Sequence, residues 1–118
     1  MNTYSDQEID KIINDLWAGT LLKFEHDMLD HVVKFFVEVN ENEVITRYQV
    51  IFENVFLLEI SYDDPANSWN YVELTEVEIK KTNKGYSFES EMWSDCFLKI
   101  ESKNFTVIGT HGLDPQEV

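Results

Sequence analysis

The chain has 118 residues and a mass of 13.9 kDa, the length of a single domain that can bury a core of its own. Its 23 acidic and 9 basic residues give a formal net charge of −14, and so negative a surface repels phosphate groups, which argues against direct nucleic-acid binding. A hydrophobic content of 43% excludes a disordered acidic tail. The longest uncharged apolar run, residues 55–58, is too short to cross a membrane as a helix.

The N-terminal residues and the single cysteine indicate where the protein works. The chain begins without a basic segment or an apolar stretch, so we expect no secretory signal peptide. Cys96 cannot form an internal disulfide bond because it is the only cysteine, which favours a cytoplasmic protein. On a strand, the side chains of Cys96, Leu98 and Ile100 would point to the same face, because they are two residues apart. This predicts that Cys96 is a buried apolar side chain rather than a reactive thiol.

Residues 5–18 are predicted to form an amphipathic helix. Ser5 and Glu8 have the spacing of a capping box, in which the two side chains accept hydrogen bonds from N–H groups at the helix start. Gly19 stands where a C-cap glycine is expected. Apolar residues recur between them at helical spacing: Ile9, Ile12, Ile13, Leu16 and Trp17.

From residue 20 to residue 109 the apolar residues follow the strand period instead. The first strand is centred on Leu22, Phe24 and His26, and residues 33–39 and 44–52 form a hairpin around a polar turn, with one face buried. Further strands are expected at 56–62 after a kink at Asn54, at 72–79 with a bulge near Thr75 or Glu76, at 86–91, at 96–101, and at 105–109 after a turn at Lys103 and Asn104. Pro65 and its polar neighbours predict a loop at residues 63–68.

These elements predict one α+β domain over residues 1–118, with a helix at 5–18, a β-rich body at 20–109 and a tail at 110–118. The simplest architecture is an N-terminal amphipathic helix followed by a mainly antiparallel β-sandwich or partly open barrel of about seven to eight strands. We expect the helix to cover an edge or an end of the sheet.

One cluster has the residue types of a metal site: His26, Asp27, Asp30 and His31. The spacing of these residues is poor for metal binding, because residues 26 and 31 of an extended strand point to opposite faces. The alternative is a turn between two strands, in which Asp27 and Asp30 bond to backbone N–H groups. Elsewhere no nucleophile, phosphate-binding or metalloprotease motif occurs. We therefore expect no catalytic residue and no cofactor, and a binding protein rather than an enzyme.

Charge is the strongest functional signal. A net charge of magnitude about 2–8 suffices to keep a small domain soluble, and this chain exceeds it, which favours a basic protein partner beside the alternative of plain solubility. Most acidic residues fall on outward strand positions, and Tyr62 and Phe97 are among the aromatic residues interspersed with them. The candidate binding face consists of Glu73, Glu76, Glu78, Glu89, Glu91 and Asp95, with Trp69, Tyr71 and Trp93 as aromatic anchors.

Three segments carry a resemblance to a known family: LKFEHDMLDHVVKF from Leu22, VIFENVFLL from Val50, and CFLKIESKNFTV from Cys96. Together they resemble the small bacterial YxiG-like proteins, which are similar in turn to immunity proteins encoded beside polymorphic toxins. The resemblance implies a β-rich fold and neutralisation of a toxin domain. None of the segments is an active-site motif, so it transfers no functional residue.

The leading hypothesis is a cytoplasmic immunity protein that forms a 1:1 complex with a basic, nuclease-like toxin domain and occludes its active cleft. A second hypothesis is a general interaction or oligomerisation module that forms a homodimer through a sheet edge or through residues 55–58. A third is a small-ligand or metal-binding protein centred on His26 and His31. No membrane partner is expected.

Overall fold

The computed structural model describes residues 4–62, 72–93 and 96–111, and the loop expected at residues 63–68 lies outside them. One helix and seven strands occupy these ranges, so the predicted N-terminal helix and antiparallel β body are confirmed there. The elements are α1 (Asp6–Leu16), β1 (Thr20–Asp27), β2 (Val32–Glu41), β3 (Val44–Tyr62), β4 (Val72–Glu73), β5 (Glu76–Thr82), β6 (Gly85–Met92) and β7 (Cys96–His111).

The predicted capping box is present at the start of α1. The backbone N–H of Glu8 donates to Ser5 Oγ at 3.1 Å, and the backbone N–H of Ser5 donates to Glu8 Oε1 at 3.0 Å. Hydrogen bonding from the backbone N–H of Ser5, and after it from the Ser5 hydroxyl, lowers the pKa of the Glu8 carboxyl. The sequence therefore encodes its helix start locally, because both partners of each bond lie within four residues of one another.

The end of α1 differs from the prediction. The residue with left-handed backbone is Ala18, with φ of 63°, and not Gly19. Gly19 is required for space instead, because a Cβ at this position would collide with a side-chain methyl of Val37. The N–H of Ala18 donates to the Leu74 carbonyl at 2.7 Å, and the N–H of Leu74 donates to the Gly19 carbonyl at 2.8 Å. The helix end is thereby tied to the chain just after β4.

All seven strands join one antiparallel sheet in the order β4-β1-β2-β3-β7-β6-β5. The sheet curls into a half-barrel, which corresponds to the partly open barrel of the two predicted architectures. Its two edge strands, β4 and β5, are separated in the chain only by Leu74 and Thr75, so the curl brings the edges together at this point.

The two longest strands, β3 and β7, form the middle of the sheet. They pair from Thr46 opposite His111 to Tyr62 opposite Cys96. As predicted, the chain kinks at Asn54, which has φ of 55°, and a bulge follows between residues 55 and 57. Up to this bend β3 also pairs with β2, whereas beyond it the structure pairs β3 with β7 alone among the described residues.

Three local predictions about the β body are wrong. The turn expected at Lys103 and Asn104 is continuous strand, because this part of β7 pairs with β3. The strand expected at residues 72–79 is two strands on opposite edges of the sheet, since β4 pairs with β1 and β5 with β6. In β1 a bulge between Leu21 and Lys23 shifts the alternation of inward and outward side chains, so that Leu22 is exposed.

The expected tail begins later than predicted. Residues 110–111 belong to β7, and residues 112–118 lie outside the described part.

The core lies between the concave face of the sheet and α1. Four fully buried phenylalanines from four strands form its centre, with ring centroids 5.4–5.8 Å apart: Phe35, Phe52, Phe88 and Phe105. The helix covers them with Ile9, Ile12 and Leu16. Cys96 is buried as predicted, and burial raises the pKa of its thiol, which disfavours the reactive thiolate.

Replacing Leu16 with alanine tests how much the helix contributes to this core. Leu16 is 0% exposed, so Leu16→Ala leaves a cavity and we expect it to lower the free energy of unfolding by about 2–5 kcal/mol. The matched control is Leu29→Ala at a position that is 91% exposed, where we expect a change within about 0.5 kcal/mol. Urea denaturation followed by circular dichroism measures both. Equal effects would show that α1 does not contribute to the core.

Candidate partner-binding face

The outward faces of β5, β6, the start of β7 and the end of β3 form one continuous surface. Residues directly opposite each other on antiparallel strands share a face, so the strand register defines three rows across it. The rows are Glu76, Glu91, Phe97, Ser61; Glu78, Glu89, Lys99, Glu59; and Lys80, Ser87, Glu101, Leu57. We call these residues the acidic face, and they include six glutamates and two lysines.

Acidic residues stand directly opposite one another where β5 pairs with β6. Glu76 is opposite Glu91, and Glu78 is opposite Glu89. Like charges in this arrangement destabilise a sheet, because their side chains are held close together on one face. The free energy lost to this repulsion would be recovered if a cationic group from another molecule bound between the carboxylates.

The two lysines of the acidic face neutralise only part of it. Lys99 Nζ lies 3.5 Å from Glu89 Oε1 and 3.7 Å from Glu101 Oε1. Lys80 Nζ lies 2.8 Å from Glu78 Oε1, and this hydrogen bond raises the pKa of Lys80. Within the described ranges, neither Glu76 nor Glu91 has a lysine or arginine at ion-pair distance. The carboxylates of the first row are therefore the ones on this face that are least neutralised by positive charges of the protein itself.

A shallow depression of about 130 Å³ lies among these carboxylates. Phe97 lines it together with Ser90 and the four glutamates of β5 and β6. Carboxylates around a half-buried aromatic ring suit an arginine or lysine side chain, since the charged group pairs with the carboxylates while its stem or guanidinium plane packs on the ring. The lining of this depression therefore favours a cationic side chain over an anionic or an apolar one.

The structure places the predicted face residues unevenly. Glu76, Glu78, Glu89 and Glu91 lie together, as listed above, whereas Glu73 belongs to β4 at the opposite edge of the sheet, beside Thr20. Trp93 is half-buried and packs against the core, and its backbone N–H donates to Thr75 Oγ1 at 3.1 Å. Trp69, Tyr71 and Asp95 lie outside the described residues.

Glu59, Glu101 and Lys99 complete the face, although they are not among the residues of the predicted binding face. Their outward strand parity was visible in the sequence. The missing information was that the second half of β3 pairs with β7, which places Glu59 beside Lys99 and Lys99 beside Glu89. Such neighbours are distant in sequence, so parity alone does not identify them.

Comparison with known proteins identifies the family. The model of the YxiG-like protein family matches residues 9–108, most of the chain. The chain belongs to the YxiG-like family. The resemblance noted in the three sequence segments is thereby confirmed, as far as the family itself is concerned. A search of the curated proteins finds no significant match. Across the described ranges of this YxiG-like chain, no helix has the length and apolar character needed to cross a membrane.

The histidine cluster of this YxiG-like chain lies at the turn between β1 and β2. Asp27 accepts hydrogen bonds from the backbone N–H groups of Leu29 at 3.0 Å and Asp30 at 3.1 Å, and these bonds, that from Asp30 first, lower the pKa of its carboxyl. The predicted turn is therefore present, with His31 at φ of 57°. Within the part of the chain that the structure describes, no three His, Cys, Asp or Glu side chains are grouped to hold a metal ion.

Removing one charge from the first row tests whether the acidic face carries repulsion. We expect Glu91→Gln to raise the free energy of unfolding by about 0.2–1 kcal/mol at low salt, because the like-charge pair with Glu76 disappears. The gain should shrink at high salt, which screens the repulsion. Glu53→Gln is the control, since Glu53 is also exposed on a strand but stands opposite the neutral Asn104. Equal changes for both variants at every salt concentration would contradict the local repulsion.

Proposed function

We propose that this YxiG-like chain is a cytoplasmic, non-catalytic binding protein whose acidic face docks on a basic protein surface. The partner class that fits best is a toxin domain that acts on nucleic acid, which makes the chain an immunity protein. One observation carries the proposal: two pairs of glutamates face each other in register around Phe97, with too few internal cations to compensate them.

Electrostatic complementarity explains why a nuclease-like domain fits this face. Enzymes that act on nucleic acids hold phosphates with clustered lysine and arginine side chains. The same cations attract carboxylates, so the acidic face would occupy the positions where phosphates otherwise bind. The mechanism is steric and electrostatic occlusion of the cleft, which requires no bond-making step by this chain.

The sheet supplies a rigid arrangement of these charges. Neighbouring strands lie about 4.8 Å apart, and residues two apart along a strand share a face about 7 Å from one another. The glutamates of β5, β6 and β7 therefore form a grid whose spacing is set by the backbone hydrogen bonds and not by flexible loops. Because the backbone positions are already ordered, binding costs conformational entropy of the side chains only, which favours tight association.

The proposal predicts that a gene beside that of this chain encodes a large polypeptide with a toxic C-terminal domain, and that polypeptide is the test partner. Production of its C-terminal domain alone should arrest cell growth, and co-production of this chain should restore growth. In stopped-flow measurements we expect the association rate to fall by at least about tenfold between low and high salt, because opposite charges steer the encounter. A domain that is not toxic, or that this chain neither binds nor neutralises, would contradict the immunity function.

Two charge-matched variants locate the contact. The triple variant Glu76→Gln, Glu78→Gln, Glu91→Gln and the control triple Glu41→Gln, Glu43→Gln, Glu53→Gln each remove three negative charges from the same total of −14. We expect the first to slow association and weaken protection, and the second to leave protection unchanged, because the control residues lie outside the acidic face. Equal effects of the two triples would exclude the acidic face as the contact.

A further inference from the structure

Among the described residues, the second half of β3 has a strand partner on one side only, and we call residues 57–61 the open edge of β3. Residues 57–61 pair with β7 on one side. On the other side, β2 begins at Val32, and its pairing with β3 ends with Val33 opposite Phe52. Just beyond this point, the N–H of Val55 donates to the carbonyl of His31 in the β1–β2 turn at 2.9 Å. For residues 57–61, the described part of the chain supplies no strand on this side. In an antiparallel strand alternate residues direct both their N–H and C=O groups to the same side. This edge therefore offers backbone donors and acceptors to an incoming strand.

Proteins usually protect such an edge with charges, a proline or a covering element, because an unprotected edge pairs with other chains. Here Phe56 is 45% exposed and Ile60 is 42% exposed, and Glu59 is the only charged residue among residues 56–61. The edge is thus long enough and apolar enough to accept a strand. Addition of a peptide strand to a sheet edge is a common mode of recognition, in which pockets select the alternate side chains.

A pocket of the required kind lies on the concave side of this edge. It has a volume of about 250 Å³ and opens between β1, β4 and the ends of β3, β6 and β7. Its walls are apolar and include Ile60 of the edge itself, Phe24 of β1 and Leu98 of β7. Every second residue of an added strand would face this concave side, and an apolar side chain there would enter the pocket.

The convex side of the same edge has the opposite chemistry. Glu59 is the last residue of the second row of the acidic face, so an added strand would extend that row by one position. A cross-strand pair with a glutamate is stabilised when the residue directly opposite is positively charged and destabilised when it is negatively charged. A lysine or arginine is therefore favoured at the position facing Glu59.

We propose that residues 57–61 of β3 bind an extended segment of a partner protein in which apolar residues alternate with lysine or arginine. The apolar residues face the pocket beside Ile60, and a basic residue faces Glu59. A second copy of this chain fits less well, since self-pairing would bring two surfaces of the same −14 protein together. The site adjoins the acidic face and shares Leu57, Glu59 and Ser61 with it, but it binds through the backbone edge of β3 and not through the glutamates of β5 and β6.

The probe is a synthetic eight-residue peptide of alternating lysine and valine, with fluorescence anisotropy as the binding assay at physiological salt. One control peptide replaces lysine with glutamate, and another carries N-methyl groups along one backbone edge, which blocks strand pairing while keeping the charge. We expect only the first peptide to bind. Hydrogen exchange should show new protection of the amides at residues 57–61. Absence of binding, or equal binding of the N-methylated peptide, would overturn the proposal.

Variants of the protein separate local pairing from general attraction. Glu59→Lys and Glu53→Lys change the net charge equally, but only Glu59 lies on the open edge. We expect Glu59→Lys to weaken binding of the lysine peptide at least tenfold relative to Glu53→Lys. The triple variant at Glu76, Glu78 and Glu91 should retain the protection at residues 57–61. Equal affinities of the two lysine variants would overturn the proposal, as would a stable peptide-free dimer with residues 57–61 protected.

Discussion

The pairing of β3 with β7 is the constraint on which the rest of the structure depends. These strands run together through almost their whole length, and β1, β2 and β4 attach on one side while β6 and β5 attach on the other. The bend at Asn54 lets this long ladder curl, so that phenylalanines of four strands meet on the concave face. Without the pairing the two groups of strands would have no common core, and α1 would have no surface to cover.

The same ladder determines how charge is arranged on the outside. A single register carries Glu59, Lys99 and Glu89 into one row, and β5 adds glutamates opposite those of β6. Repulsion within these rows is tolerated because the core on the other face contributes far more stability than exposed charges remove. A cationic partner would relieve this repulsion, and the binding function proposed above rests on that physical argument.

Much of the local structure could be predicted from particular residues. Ser5 and Glu8 specify the start of α1, because each bonds to the backbone of the other. The alternation around Glu76, Glu78, Glu89 and Glu91 correctly places them on one outward face. The expected turn at Lys103 and Asn104 failed for a physical reason: the turn propensity of these residues is weaker than the hydrogen bonds that β3 supplies to this stretch of β7.

The sequence by itself determined the acidic composition, the amphipathic helix, most of the strand parity and the family, since these depend on composition and on residues close together in the chain. Only the tertiary structure decided that residues 72–79 divide between opposite edges, that Glu59 joins the acidic face, and that residues 57–61 of β3 have a strand partner on one side only among the described residues. Parity assigns each side chain to a face, but the neighbours it has there are set by pairing between distant strands.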